Sequence, residues 1–402
     1  MTKNMRIILV NKYWYGRAGA ETVVLLTKKL LESAGHQVEV FGMNHPLNLF
    51  SNKYFVDFVD YDSMSFWQKP KFGLRSIYNF QAKKNFLELI KDFKPDVIHF
   101  HNIYHQLSCS IIEAAQEQNI KTVMTLHDYK FISPNYSLFH RGRIDESCSG
   151  GNYYRCILNN CLENFGESLM ATIEAYFVDA KGFKKMIHTY ISPSKFLMDK
   201  FIKAGFDTKN ILQISNALPA DEFKMSHGDL GYVAYVGRLS SEKGLKYLLA
   251  SAEILSDIHF KIVGSGPELI ELENIVNEKK LTNVEFVGQK NGAELESLIT
   301  GARLLVMPSI WYENAPLSIL EAKARGKIVV ACDIGGISEM LPRELLVAPA
   351  DHLAFADKIK EWFEKDDSTR QAMAERLYGQ VNEENRPEIY LQKLLKVYSE
   401  NE

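Results

Sequence analysis

The run Tyr232-Val233-Ala234-Tyr235-Val236-Gly237-Arg238-Leu239-Ser240-Ser241-Glu242-Lys243-Gly244-Leu245 decides the fold class. Its first five residues are almost wholly apolar, the pattern of a strand covered on both faces rather than one alternating between core and water. A polar loop bounded by glycines follows, and residues 245–255 then take up helical spacing. Strand, glycine loop and helix in that order make one βα unit of a parallel sheet. Downstream, apolar runs at 258–263, 284–287, 304–307, 328–331 and 345–347 repeat the unit, two of them followed by Gly264-Ser265-Gly266-Pro267 and Gly335-Gly336-Ile337-Ser338-Glu339.

Upstream the same order appears: strand-like runs at 6–10, 37–41, 96–100 and 122–126 alternate with helical stretches at 21–33 and 111–118. A chain of 402 residues exceeds one ordinary core. The reading is therefore α/β, with two Rossmann-like doubly wound parallel-sheet domains facing a central cleft. Domain one covers 1–215 and domain two 216–380, joined near Ser215-Asn216-Ala217-Leu218-Pro219. A C-terminal helix in 381–402, with Tyr390, Leu394 and Val397 at helical spacing, is expected to pack back across the hinge.

Hydrophobic residues make up 46% and charged residues 24%, with a net charge of -3. That balance suits a globular protein and gives no reason to expect nucleic acid as a partner. The apolar Ile7–Val10 run is too short for a signal segment or a membrane span, so a cytoplasmic protein is expected. Residues 66–86 mix Lys69, Lys71, Arg75, Lys83 and Lys84 with Phe66, Trp67, Phe72, Ile77 and Tyr78. Such a face can lie on anionic lipid as a peripheral contact with the inner membrane surface, or be a surface helix with its aromatics turned inward.

Glu313-Asn314-Ala315-Pro316-Leu317-Ser318-Ile319-Leu320-Glu321 carries two carboxylates eight residues apart. Glu313 falls in the loop after a strand and Glu321 about two turns inside the following helix, so both can face one crevice. The helix N-terminus between them, at Asn314 to Leu317, offers N–H groups to diphosphate oxygens. Arg238 supplies a fork of donors and Lys243 a point charge, a pairing suited to a diphosphate whose charge grows as it leaves. Gly237, Gly244 and Gly266 allow close backbone approach. With no convincing D-x-D metal motif, these cations are expected to do the work of a metal, and no cofactor is required. In the first domain, His127 beside Asp128 ends a strand. Gly19 and Glu21 open the first helix, whose N–H groups can receive an acceptor. His99 and His101 are read as pointing to opposite faces of their strand, one of them into the core.

Together these residues resemble the large family of retaining GT-B glycosyltransferases, family 4-like and of bacterial cell-surface polysaccharide type. Its second domain carries G-R-x4-K-G, G-x-G-P, E-x7-E and G-G-x-x-E motifs. Ala18-Gly19-Ala20-Glu21 resembles the family's G-G-x-E loop, Lys94-Pro95-Asp96-Val97-Ile98-His99-Phe100-His101 its K-P-D-V-x-H-x-H strand, and Thr125-Leu126-His127-Asp128 its T-x-H-D turn. Ile191-Ser192-Pro193-Ser194 and Ile214-Ser215-Asn216 resemble the segments that lead into the hinge. Two departures stand out: Ala18 replaces a glycine, and Asn314-Ala315-Pro316-Leu317 replaces x-F-G-L. The resemblance implies transfer of a hexose from a UDP- or GDP-sugar to a glycan or lipid-linked glycan, uridine being the favoured base. It also implies that Glu321 holds the ribose hydroxyls, that Glu313 holds the sugar ring, and that His127 meets the donor from the first domain. A nucleotide-sugar-binding scaffold subunit with little catalysis is the alternative, against which the intact His127, Arg238, Lys243, Glu313 and Glu321 argue.

Of five cysteines, Cys109 and Cys332 stand singly in apolar contexts where buried thiols are expected. Asp145-x2-Cys148-x7-Cys156-x4-Cys161 resembles a small zinc knuckle with aspartate in the first ligand position. The plainer reading is a loop of reduced, partly buried thiols.

Overall fold

A computed structural model describes residues 4–60 and 69–400. The chain forms two compact units. The first comprises the residues up to Leu138, Asp145–Ser215 and those from Glu388; the second comprises Phe139–Ile144 and Asn216–Pro387.

The first unit is built on six parallel strands: β1 (Arg6–Val10), β2 (Gln37–Phe41), β3 (Val97–Phe100), β4 (Lys121–Thr125), β5 (Thr189–Ser192) and β6 (Ile211–Gln213). Their order across the sheet is β6-β5-β4-β3-β1-β2, so the winding reverses between β1 and β3. Ile7, Ile8, Leu9 and Val10 have no exposed surface, as the unbroken apolar run requires. Side-chain oxygens of Asn79, Asn164 and Ser194 cap the helices Phe80–Phe93, Phe165–Lys181 and Lys195–Lys203. The helix Pro387–Ser399 belongs to this unit from Glu388 onward, burying Tyr390, Leu394, Val397 and Tyr398. The Tyr390 hydroxyl lies 2.8 Å from Thr27 Oγ1 in the first helix, Gly19–Ser33.

The second unit holds β7 (Tyr232–Val236), β8 (His259–Val263), β9 (Val284–Gly288), β10 (Ala302–Met307), β11 (Val329–Cys332) and β12 (Leu346–Val347), all parallel. Their order, β9-β8-β7-β10-β11-β12, is the doubly wound arrangement, and its winding reverses between β7 and β10. The helices Leu245–Ile254, Leu317–Ala324 and His352–Glu364 contribute Leu245, Leu248, Ile319, Phe355 and Ile359 to one continuous core with these strands.

β5 and β6 have no counterpart in the sequence reading. β5 has four residues and runs directly into Pro193, and the three-residue edge strand β6 leaves Leu212 39% exposed. Both mix polar residues with apolar ones, Thr189 and Ser192 in β5 and Gln213 in β6, so neither registers as an unbroken apolar run.

Candidate active site

In open α/β sheets a crevice forms beyond the strand C-termini where winding reverses. In the second unit that place is set by the loop after β7, Gly237–Gly244, and the loop after β10, from Pro308 to Pro316. Backbone hydrogen bonds tie these loops to each other and to their neighbours: Ile310 N to Glu242 O, Leu239 N to Ser265 O, and Gly336 N to Glu313 O. The glycines make this packing possible. A Cβ on Gly244 would lie 2.1 Å from the Pro308 carbonyl oxygen, one on Gly266 2.2 Å from that of Leu239, and one on Gly335 2.4 Å from that of Glu313. Loop-on-loop packing is thus itself a sufficient reason for glycine at these positions.

Lys243 Nζ lies 2.6 Å from Glu313 Oε1, and Ser309 Oγ donates to the same oxygen at 2.8 Å. Glu313 is only 6% exposed. Burial pushes its pKa up, but the adjacent Lys243 ammonium and the hydrogen bonds outweigh it and hold the carboxyl below its ordinary range. The ammonium also sits 5.1 Å from the centroid of the Trp311 ring. Arg238 is exposed, and its backbone oxygen accepts from the Tyr235 hydroxyl at 2.8 Å.

The helix after Glu313 begins at Leu317, so Glu321 is one turn inside it, not the two expected. Pro316 precedes the first helical residue in an extended conformation (φ −65°, ψ 122°), and its ring disfavours helical geometry at Ala315 before it. No side chain caps this helix, while Asn216 Nδ2 donates to Ala315 O at 3.3 Å. Glu321 lines a narrow pocket with Val236, Met307 and Ser318, beneath the ends of β7 and β10. Burial raises its pKa, reinforced by Glu222 and opposed by Arg325, whose guanidinium pairs with Glu222 and, at 2.6 Å, with Glu296.

In the first unit His101 and His127 follow β3 and β4, and His101 Nδ1 lies 2.9 Å from His127 Nε2. The expectation for His99 and His101 is overturned. Two residues along a strand return a side chain to the same face, and their ring centroids are 4.4 Å apart. Both are buried. His99 Nδ1 contacts the Tyr398 hydroxyl at 2.7 Å and its Nε2 contacts Thr125 Oγ1 at 2.8 Å. Burial lowers His99 to about 3 and His127 to about 4, so this row of imidazoles is neutral at physiological pH.

Gly19 is exposed at the start of its helix, and Glu21 in the first turn is 3% exposed. Burial raises the Glu21 pKa against the pull of Lys12, which stands two residues beyond β1. Burial likewise lowers Lys12, against Asp128 and Glu21. Behind this cluster Lys130 Nζ and Glu174 Oε2 form a buried ion pair at 2.7 Å. Sequence reasoning missed Lys12, although it follows a strand at the winding reversal, as Lys243 and Glu313 do.

The sequence pattern of Glycosyltransferase Family 4 matches residues 17–222, just over half the chain, and that of Glycosyl transferases group 1 matches residues 220–392. The chain belongs to Glycosyltransferase Family 4. As a glycosyltransferase it is 25% identical over 356 residues to an uncharacterized 42.6 kDa protein in the cps region of Klebsiella pneumoniae, covering 84% of this chain and 87% of that one. Its fold matches a glycosyltransferase from Rickettsia africae (TM-score 0.70, 16% identity, 98% of each chain covered). It also matches Anabaena HepE in complex with UDP and glucose (TM-score 0.67, 18% identity, 99% of this chain and 100% of the other covered). Both structural matches confirm the two-sheet GT-B architecture expected from the sequence.

Among the described residues of this glycosyltransferase, no helix is long and apolar enough to cross a membrane. In the basic aromatic stretch, Phe66 and Trp67 lie outside the described residues. Ile77 is buried, and Lys83 is committed to Glu113 at 2.8 Å and Glu117 at 2.6 Å. Cys109 and Cys332 are buried thiols, and Cys148, Cys156 and Cys161 are gathered together in the first unit.

Proposed function

We propose that this enzyme is a retaining glycosyltransferase that moves a hexose from a UDP- or GDP-sugar to a glycan or lipid-linked glycan of cell-surface polysaccharide synthesis. The observation that carries the donor half is the Lys243–Glu313 pair at the winding reversal of the second sheet. One ammonium proton is spent on Glu313, which leaves two for a diphosphate, beside the exposed Arg238 and the uncapped helix at Leu317. Glu321, which lines the pocket at the ends of β7 and β10, is assigned to the ribose hydroxyls and Glu313 to the sugar ring. The UDP held by the Anabaena protein favours uridine as the base.

In the reaction, the acceptor hydroxyl oxygen bonds to the anomeric carbon as the bond from that carbon to the β-phosphate oxygen breaks. The hydroxyl proton passes to that phosphate, and attack from the leaving-group face retains the configuration. Arg238, Lys243 and the helix N–H groups stabilise the departing charge, each such donor being worth about 10²–10³ in rate. Neutral His127 offers a hydrogen bond to a sugar hydroxyl, while Gly19 and Glu21 open the helix assigned to the acceptor.

A panel of nucleotide-sugars, in buffer without Mg²⁺ or Mn²⁺, tests the reading through thermal shift and slow donor hydrolysis. One UDP- or GDP-hexose should raise the melting temperature and release free sugar of unchanged anomeric configuration, since ligand at about 100 times its Kd stabilises by roughly 2.7 kcal/mol. Stabilisation without hydrolysis or transfer under any condition would favour a scaffold subunit. An inverted product would refute retention.

A further inference from the structure

The segment from Asp145 to Glu163 in the first unit has almost no regular structure and little conventional core. Its helix, Tyr154–Asn159, has six residues, and Gly150, Gly151, Asn160 and Glu163 all take positive φ. Tyr154 and Leu158 of that helix are 46% and 74% exposed. Inside the segment are thiols. Cys148 and Cys156 have no exposed surface, Cys161 has 3%, and together they form an apolar cluster of their own with Leu162 packed against it.

Three such side chains and the buried Tyr153 offer little apolar area to offset the ordering of so many loop residues. Small lobes of this kind are ordinarily held by disulfides or a metal. The cysteines are unbridged, and the three sulfur atoms lie within 4.8 Å of one another. A tetrahedral zinc with Zn–S bonds of about 2.3 Å needs sulfurs roughly 3.8 Å apart, which small side-chain adjustments supply. An oxygen is at hand: Asp145 Oδ2 is 3.8 Å from Cys161 Sγ, and Asp145 Oδ1 accepts the Ser147 N–H at 2.9 Å, which orients the carboxylate.

We propose that Cys148, Cys156 and Cys161, with Asp145 as fourth ligand, bind one structural Zn²⁺. On binding, the three thiols release their protons to solvent and the carboxylate completes a closed tetrahedron. The ion anchors two parts of the first unit. Ser133 Oγ lies 3.3 Å from Cys148 Sγ and Gly150 N donates to Ile132 O, which steadies the loop that begins at His127. Ser168 Oγ, in the first turn of Phe165–Lys181, donates to Asn160 Oδ1 and accepts from Leu162 N, both at 3.2 Å. That helix carries Glu174, the buried partner of Lys130.

The test is elemental analysis of the full chain purified under reducing conditions without chelator, which should find about one zinc per chain. Cys148→Ser and Cys156→Ser should lose it. Because those variants can fail to fold, the wild-type chain is also stripped with chelator and titrated with Zn²⁺ and Co²⁺. One equivalent should raise the melting temperature and protect three thiols from alkylation, and Co²⁺ should give thiolate charge-transfer absorption with tetrahedral d–d bands. Asp145→Ala should bind Co²⁺ at least about tenfold more weakly. A wild-type chain that is isolated without zinc and takes up neither ion when reduced would overturn the site, as would zinc retained in both cysteine variants. Unchanged Co²⁺ affinity in Asp145→Ala would remove Asp145 from the ligand set.

Discussion

Lys243 Nζ, in the loop after β7, lies 2.6 Å from Glu313 Oε1, in the loop after β10, and the pair bridges the two strands between which the second sheet reverses its winding. Two residues seventy positions apart are thereby fixed to each other where an open α/β sheet presents its crevice.

Lys243→Ala therefore acts on both stability and rate. It leaves Glu313 buried without its cation, with Ser309 among its remaining hydrogen-bond partners, at a cost of about 1–3 kcal/mol, less than for a fully buried pair because the Lys243 side chain is 21% exposed. Transfer should fall by about 10²-fold or more. Arg238 is exposed, so Arg238→Ala should show a similar loss of rate with an unchanged melting temperature. Near-wild-type transfer in both variants would remove the diphosphate role.

The glycines separate loop packing from backbone strain. Gly335→Ala places a Cβ 2.4 Å from the Glu313 carbonyl at φ 63°, so the Glu313 backbone must move and transfer should fall together with stability. Gly288→Ala has a similar φ, 75°, but meets open space, and should cost about 1–2 kcal/mol with transfer retained. Equal effects on transfer would mean that Glu313 does not depend on its loop neighbours.

Acid should unfold the first unit through its histidines. An unfolded imidazole titrates near 6.5, whereas folded His127 and His99 are held at about 4 and about 3. As pH falls below about 6.5 the unfolded chain takes up protons that the folded chain refuses, so the stability present above that pH is lost progressively, down to about 4 for His127 and about 3 for His99. Between pH 7 and pH 5, His127→Gln should lose about 1–2 kcal/mol less than the wild-type chain in denaturant titrations. An identical acid dependence in the two proteins would show that His127 is not held neutral by burial.

The strands were legible because helices cover both faces of each sheet, which forces unbroken apolar runs such as Ile7–Val10; the short β5 and edge strand β6 were not. The loop carrying Lys243 was legible from its glycines, but the reason for those glycines is tertiary, since Gly244 meets Pro308 and Gly266 meets Leu239. Lys12 was missed because its counter-charges, Glu21 and Asp128, come from separate stretches of chain. The parity of His99 and His101 was readable from sequence: two positions on a strand share a face, and the ring centroids accordingly lie 4.4 Å apart.

The central claim, that the loops after β7 and β10 hold the nucleoside diphosphate of the donor, is tested most directly by hydrogen–deuterium exchange of the full chain with and without saturating UDP or GDP. Backbone N–H groups that donate hydrogen bonds to phosphate oxygens exchange more slowly. The account predicts that at least one of the two nucleotides protects peptides covering Gly237–Gly244 and Asn314–Ser318, and that Lys243→Ala weakens this protection. Protection confined to the loops of the first unit, around Lys12–Glu21, with Gly237–Gly244 unchanged, would contradict it.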